Sequence, residues 1–221
     1  MLPLASHEVR WFFEGEVDQH LPLKQWFETM TPFPRPDGLP RPEWRGRLGD
    51  QPDIYLLIPG GTDLGIKWRE GELQIKGRVA ALGVQLFAGR HQGAVERWIK
   101  WSYQDLPGTW RKLFTEGSVR LITAPVRKTR ALRKLRLDPF TGTAHEVTPD
   151  TLIDRGMALE LTDLELNGSR YCSLAFEAFP DDSGMHLAFD RTVSRFLDSL
   201  HDIELRADQS LSYPGWLDRL Q

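Results

Sequence analysis

Leu64–Arg78, LGIKWREGELQIKGR, reads as a β-hairpin with two chemically sorted faces. A two-residue turn at Glu70-Gly71 sets Arg69 opposite Glu72, Lys67 opposite Gln74 and Gly65 opposite Lys76. Side chains alternate along a strand. Leu64, Ile66, Trp68, Leu73 and Ile75 therefore share one face, and Lys67, Arg69, Gln74, Lys76 and Arg78 share the other. A slip of one residue would scatter the apolar set over both faces, so the register is specified. What the basic face meets is the functional question.

Outward from this hairpin the chain keeps the same habit. Met157–Leu166 and Arg170–Phe179 flank Asn167-Gly168, the preferred type I′ dipeptide, and read as a second hairpin. Further strands are expected over Glu8–Phe13, Asp53–Ile58, Val95–Tyr103, Val119–Ile122 and Val126–Leu137. Helical spacing marks Leu21–Met30, with Leu23, Trp26, Phe27 and Met30 on one side, before the Pro-rich loop Thr31–Arg41. Trp110–Phe114 suggests one helical turn. A longer helix is expected over Leu187–Leu200, with Leu187, Val193, Phe196, Leu197 and Leu200 along one side and Asp190 capping or favouring its early turns. No repeat, low-complexity segment or composition break divides the chain. The expectation is one α+β domain over residues 1–221, an antiparallel sheet of about eight strands curved or closed into a barrel or tunnel, with a few short helices.

Composition narrows the function classes. With 40% hydrophobic and 27% charged residues, 221 residues suffice for a sizeable core. A net charge of −3 and a pI near 6.1 argue against a general polyanion binder, so any anion affinity must come from local clustering. A lone cysteine, Cys172, excludes an internal disulfide framework and suits a reducing compartment. The sequence shows neither a signal peptide nor an apolar run of membrane-spanning length, so a cytoplasmic protein without a membrane partner is expected. Nothing in the sequence sets an oligomeric state.

Local clustering is what the strands provide. Lys67 and Arg69 share a face, as do Lys76 and Arg78, and Lys128 and Arg130; Lys134 and Arg136 continue the last row if that strand stays regular. Gly117–Leu137 holds seven Lys and Arg and no Asp or Glu, so this segment offers no internal charge compensation. Alternate strand positions place charges roughly 6.5–7 Å apart, a spacing that suits successive phosphates. The competing reading is a solvated outer sheet face, but such a face normally mixes charge signs. Carboxylates are the second ingredient. Glu8 precedes Arg10 on the first strand, Glu160 shares a face with Thr162, and Glu177 lies in the apolar run Ala175-Phe176-Glu177-Ala178-Phe179. A glutamate there is either paired with Lys or Arg or holds a metal, and the many nearby cations favour pairing. Walker-type and GxGxxG loops are absent, the histidines lack metal-ligand spacing, and Cys172 alternates with Leu174 and Phe176 as a core thiol would.

These pieces resemble the CYTH family, the triphosphate tunnel metalloenzymes. The resemblance rests on IKWREGELQIKGR, VRKTRALRKLRL, YCSLAFEAF and the tail Ser212-Tyr213-Pro214-Gly215-Trp216-Leu217, and spans roughly Ser6–Leu217. It implies a basic tunnel of about eight antiparallel strands acting on a triphosphate or polyphosphate with Mg²⁺ or Mn²⁺. Arg10, Lys67, Arg69, Lys76, Arg78, Lys100, Lys128 and Arg130 would bind phosphate. Glu8, Glu160 and Glu177 would hold the metal, and water would be the nucleophile of a hydrolysis. The family's N-terminal E-x-E-x-K departs here: Glu8-Val9-Arg10-Trp11-Phe12 keeps the first Glu, with Arg at the second carboxylate and Phe at the lysine. A non-catalytic anion-binding or interaction module on the same fold is therefore the alternative. Nucleic-acid binding through Val126–Arg136 ranks last, given the acidic pI and the lack of a nucleic-acid motif. A lipocalin-like barrel would require the basic hairpin face to point outward.

Overall fold

A computed structural model of the chain describes residues 4–36, 38–39, 42–45, 51–104, 108–116, 122–138 and 143–221. Its strands are β1 (Leu4–Glu14), β2 (Trp44–Arg45), β3 (Asp53–Leu56), β4 (Leu64–Arg69), β5 (Glu72–Phe87), β6 (His91–Gln104), β7 (Thr123–Leu137), β8 (Ala144–Val147), β9 (Gly156–Leu166) and β10 (Ser169–Phe179). The helices are α1 (Leu21–Thr29), α2 (Thr109–Glu116), α3 (Ser183–Leu197) and α4 (Tyr213–Arg219). Neighbouring strands run β7-β3-β4-β5-β6-β1-β10-β9, and β9 pairs back onto β7. All these pairings are antiparallel, so eight strands close into a barrel, with β2 and β8 as short additions to β7.

Turn chemistry fixes both expected hairpins. Glu70 and Gly71 have φ of 48° and 82°, and Asn167 and Gly168 have 51° and 81°. Two successive left-handed residues are what a type I′ turn requires. The β4–β5 register pairs Arg69 with Glu72, Lys67 with Gln74 and Gly65 with Lys76, as the alternation predicts.

The larger core lies on the side of the sheet away from the lumen. Val9, Trp11 and Phe13 of β1, Met157, Leu159 and Leu161 of β9, and Cys172, Leu174 and Phe176 of β10 pack with Leu23, Trp26 and Phe27 of α1. Met185, Phe189, Val193, Phe196 and Leu197 of α3 join the same cluster. Period two then assigns the intervening residues, Glu8, Arg10, Glu160 and Glu177 among them, to the opposite, inner face. Trp68 and Leu73 form a smaller outer cluster with Ile54, Leu56, Ile66 and Ile75.

Several boundaries differ from expectation. The expected strand over Asp53–Ile58 ends at Leu56, and β5 runs on to Phe87 rather than stopping near Arg78. α2 is eight residues long rather than a single turn. α3 starts at Ser183, capped by Asp182, whose side chain accepts from the Met185 N–H; Asp190 plays no capping part. Its buried face runs through Met185, Phe189, Thr192 and Val193, and Leu187 is 62% exposed. The strand expected over Val119–Ile122 falls largely outside the described residues. Among the described residues no helix is long and apolar enough to cross a membrane.

Candidate functional site

Inner-face positions from all eight barrel strands line one cavity of about 170 Å³, several times the ~10–15 Å³ that a water needs. Its floor is the C-terminal tail. Trp216 of α4 stacks on Phe12 with ring centroids 4.8 Å apart, and Leu217 packs with Tyr55, Val126, Leu164 and Leu166. Residues 211–214 consequently face the cavity. Gly65 makes room for this plug: a methyl there would stand 3.2 Å from Pro214. Phe12, at the position where the resembled motif has lysine, thus serves the plug.

Among the described residues seven cationic side chains line the cavity, Arg10, Lys67, Arg69, Lys76, Lys100, Lys128 and Arg130, against the carboxylates Glu8, Glu96, Glu160 and Glu177. Arg78 shares their strand parity but is clamped to Glu96 at 2.5 Å and does not line the cavity. Lys134 and Arg136 reach the carbonyls of Thr151 and Leu152 instead. Arg133 points the other way, into a buried pair with Glu146 at 2.8 Å.

The lining charges sort into separate groups. In one, Asp53 takes Lys67 at 2.8 Å, Lys128 at 3.2 Å and Arg69 at 3.5 Å. Burial would raise the Asp53 carboxyl, but Lys128, Lys67 and Arg69 outweigh it and hold it below the ordinary range. In a second, Glu160 accepts from Arg10 through one oxygen and from Arg130 through the other, each at 3.1 Å. Its carboxyl too is lowered: burial opposes, and Arg10, Arg130 and Lys128 prevail. Arg10 also donates to Ser173 at 3.0 Å and lies 4.6 Å over the Tyr213 ring. These two groups sit side by side, because Lys128 donates to the Tyr55 hydroxyl at 2.7 Å and stands 3.8 Å over Tyr213. Together they hold five cations and two carboxylates. Burial pushes the Lys128 ammonium down to about 8, against Asp53 and Glu160. Burial, then Lys128, also pushes Lys67 well down.

In the third group Lys76 lies between two carboxylates, touching Glu8 and standing 3.6 Å from Glu177. Lys100, on the strand position paired with Lys76, meets no carboxylate among the described residues within ion-pair distance. Among the described residues no three His, Cys, Asp or Glu come together closely enough to hold a metal ion. Glu8, Glu160 and Glu177 all face the cavity, but the first and last share a lysine and Glu160 is occupied by two guanidiniums.

Sequence reasoning missed Asp53 and Tyr55, and quoted Tyr213 in the tail without giving it a place in the site. Asp53 and Tyr55 alternate on one strand face and pair with β7 and β4, which carry the basic rows, so their parity was readable once the closing partners were known. Cys172 is fully buried, and burial pushes its thiol up to about 12, which keeps it an inert core group.

No known protein family matches this chain. No curated protein matches it either. A solved structure of a conserved hypothetical protein from Pyrococcus furiosus is similar to it with a TM-score of 0.39 and 11% identity, over 92% of this chain and 94% of that one. The barrel assignment rests on strand pairing alone.

Proposed function

We propose that this chain is a CYTH-like tunnel protein that binds a triphosphate- or polyphosphate-containing ligand in the barrel lumen. The observation that supports this reading is, among the described residues, a formal excess of three cationic over acidic side chains in the half of the cavity built by Arg10, Lys67, Arg69, Lys128 and Arg130 around Asp53 and Glu160. Buried like charges destabilise a fold unless something compensates them. A chain of phosphates carries the missing charge in a linear form, and the guanidiniums among these groups grip phosphate oxygens bidentately.

The Mg²⁺ or Mn²⁺ that the family resemblance implies does not fit the residues as they stand. Hard divalent cations require several oxygen ligands, and each candidate carboxylate already faces an ammonium or guanidinium. Binding is therefore the proposed activity.

The test is calorimetry and thermal melting with inorganic tripolyphosphate, with sulfate as control. Saturating tripolyphosphate should raise the melting temperature, since a ligand at a hundred times its dissociation constant adds about 2.7 kcal/mol to the folded state. Lys128→Ala and Arg130→Ala should each weaken binding about tenfold or more, as lost charge-assisted hydrogen bonds do. Equal effects of sulfate and tripolyphosphate, or no effect of either variant, would reject the reading.

A further inference from the structure

We infer that the barrel carries its own resident cation, the Lys76 ammonium held between Glu8 and Glu177, and takes its polyphosphate free of metal. The inference rests on the binding function proposed above and specifies the form of the ligand.

Glu8 and Glu177 are direct register partners across the β1–β10 ladder, so two carboxylates stand side by side on the inner face. Such a pair repels itself unless a cation joins it. A divalent ion would neutralise both. Here Lys76 reaches across from β5, on the far side of β6, and its Nζ contacts Glu8 and lies 3.6 Å from Glu177. The Ser6 hydroxyl donates to the Glu8 oxygen that faces Lys76, at 2.5 Å, which fills that oxygen further. Being tethered, the lysine need not be recruited from solution, and a metal would have to displace a cation of very high effective concentration. The next carboxylate, Glu160, already accepts from Arg10 on one oxygen and from Arg130 on the other, so a metal there would stand against two guanidiniums.

Ligand form follows from which phosphate oxygens are open. Chelation by Mg²⁺ removes two negative charges from a polyphosphate and occupies the oxygens that Lys67, Lys128 and Arg130 would grip. Only the free anion leaves all its oxygens open to those side chains. Added Mg²⁺ should then compete with the protein for the ligand, the reverse of what a metal-dependent site shows.

Three measurements decide this. Tripolyphosphate should bind the wild-type protein in EDTA, with apparent affinity falling about tenfold or more once Mg²⁺ exceeds the ligand. Binding that appears or tightens on adding Mg²⁺ overturns the inference. Electron paramagnetic resonance with Mn²⁺ and ligand-free wild type should show the ion remaining free, whereas a stoichiometric Mn²⁺ site overturns it. Lys76→Met, checked for native circular dichroism, should gain a stoichiometric Mn²⁺ site at the released carboxylates, and a folded variant without that gain removes the claim that lysine stands in for metal. Should Lys76→Met not fold, the wild-type titrations decide. If tripolyphosphate binds in neither buffer, the proposed function falls, and the manganese measurement alone settles the role of Lys76.

Discussion

Glu160 keeps Arg10 and Arg130 from confronting each other, and its removal should separate stability from affinity. In Glu160→Gln the two guanidiniums lose their shared charge, and breaking a buried pair in this way costs about 3 kcal/mol. The same change makes the lumen more positive. Urea denaturation should therefore show lower stability while calorimetry shows tighter tripolyphosphate binding; a fall in both would mean that Glu160 helps to hold the ligand. Lys128 supplies the pH dependence. Its folded value of about 8 lies below the ordinary 10.5, so between those values the unfolded chain binds more protons. Its charging cost is fully present below pH 8 and is relieved as pH rises toward 10.5. A bound anion acts in the opposite direction, drawing Lys128 back to the ammonium form. Binding at pH 8 should take up protons, and affinity should fall as pH rises through 8. Calorimetry in two buffers of different ionisation heat measures that uptake, and equal heats in both would rule out a titrating lysine. The cations behind these effects were legible as Lys-x-Arg pairs at strand spacing. Asp53 and Tyr213 were not, because their meaning depends on which strands and tail residues the closed barrel sets beside them.

At the level of the elements, both hairpins were legible because turn dipeptide and alternation agree. The upper half of β5 was not. Its residues 79–87, VAALGVQLF, carry no charge and do not alternate, so nothing marked them as a strand continuing past Arg78. They pair with β6 on one side, and β4 ends its pairing at Gly77, which leaves an open edge among the described residues. Val79, Val84 and Leu86 are exposed there, at 50%, 58% and 58%. Edges of this kind are usually guarded by charge or proline. In hydrogen exchange the amides of residues 79–87 that point away from β6 should exchange far faster than those of β9 and β10, which are paired on both sides; equal protection would show that another segment covers the edge. At the start of β9, a methyl on Gly156 would run into the Leu135 carbonyl oxygen and the Ile153 side chain. Gly156→Ala should lower stability by about 1–3 kcal/mol, the usual cost of overpacking, as read from the denaturation midpoint.

For the whole molecule, the barrel was legible in outline because about eight alternating strands suggested a curved or closed antiparallel sheet. Its closure was not, since the β7–β9 contact joins segments that no local pattern links. The chain is net negative while its lumen is positive, so the outer surface carries the excess negative charge. An oligonucleotide, too bulky to enter, meets mainly that surface and should bind far more weakly than tripolyphosphate in a competition assay; comparable binding would place the cationic site outside the barrel. The β1–β10 seam has a kinetic consequence. It pairs residues as distant as Glu8 and Glu177, so the first strand has no second neighbour until almost all of the chain has been synthesised. Contacts of such sequence separation form slowly, and refolding is expected over roughly milliseconds to seconds. The β4–β5 and β9–β10 hairpins can form before that event, whereas the Phe12–Trp216 stack cannot. Stopped-flow refolding should show the near-ultraviolet signal of that stack arriving with the slowest phase, while part of the far-ultraviolet signal precedes it.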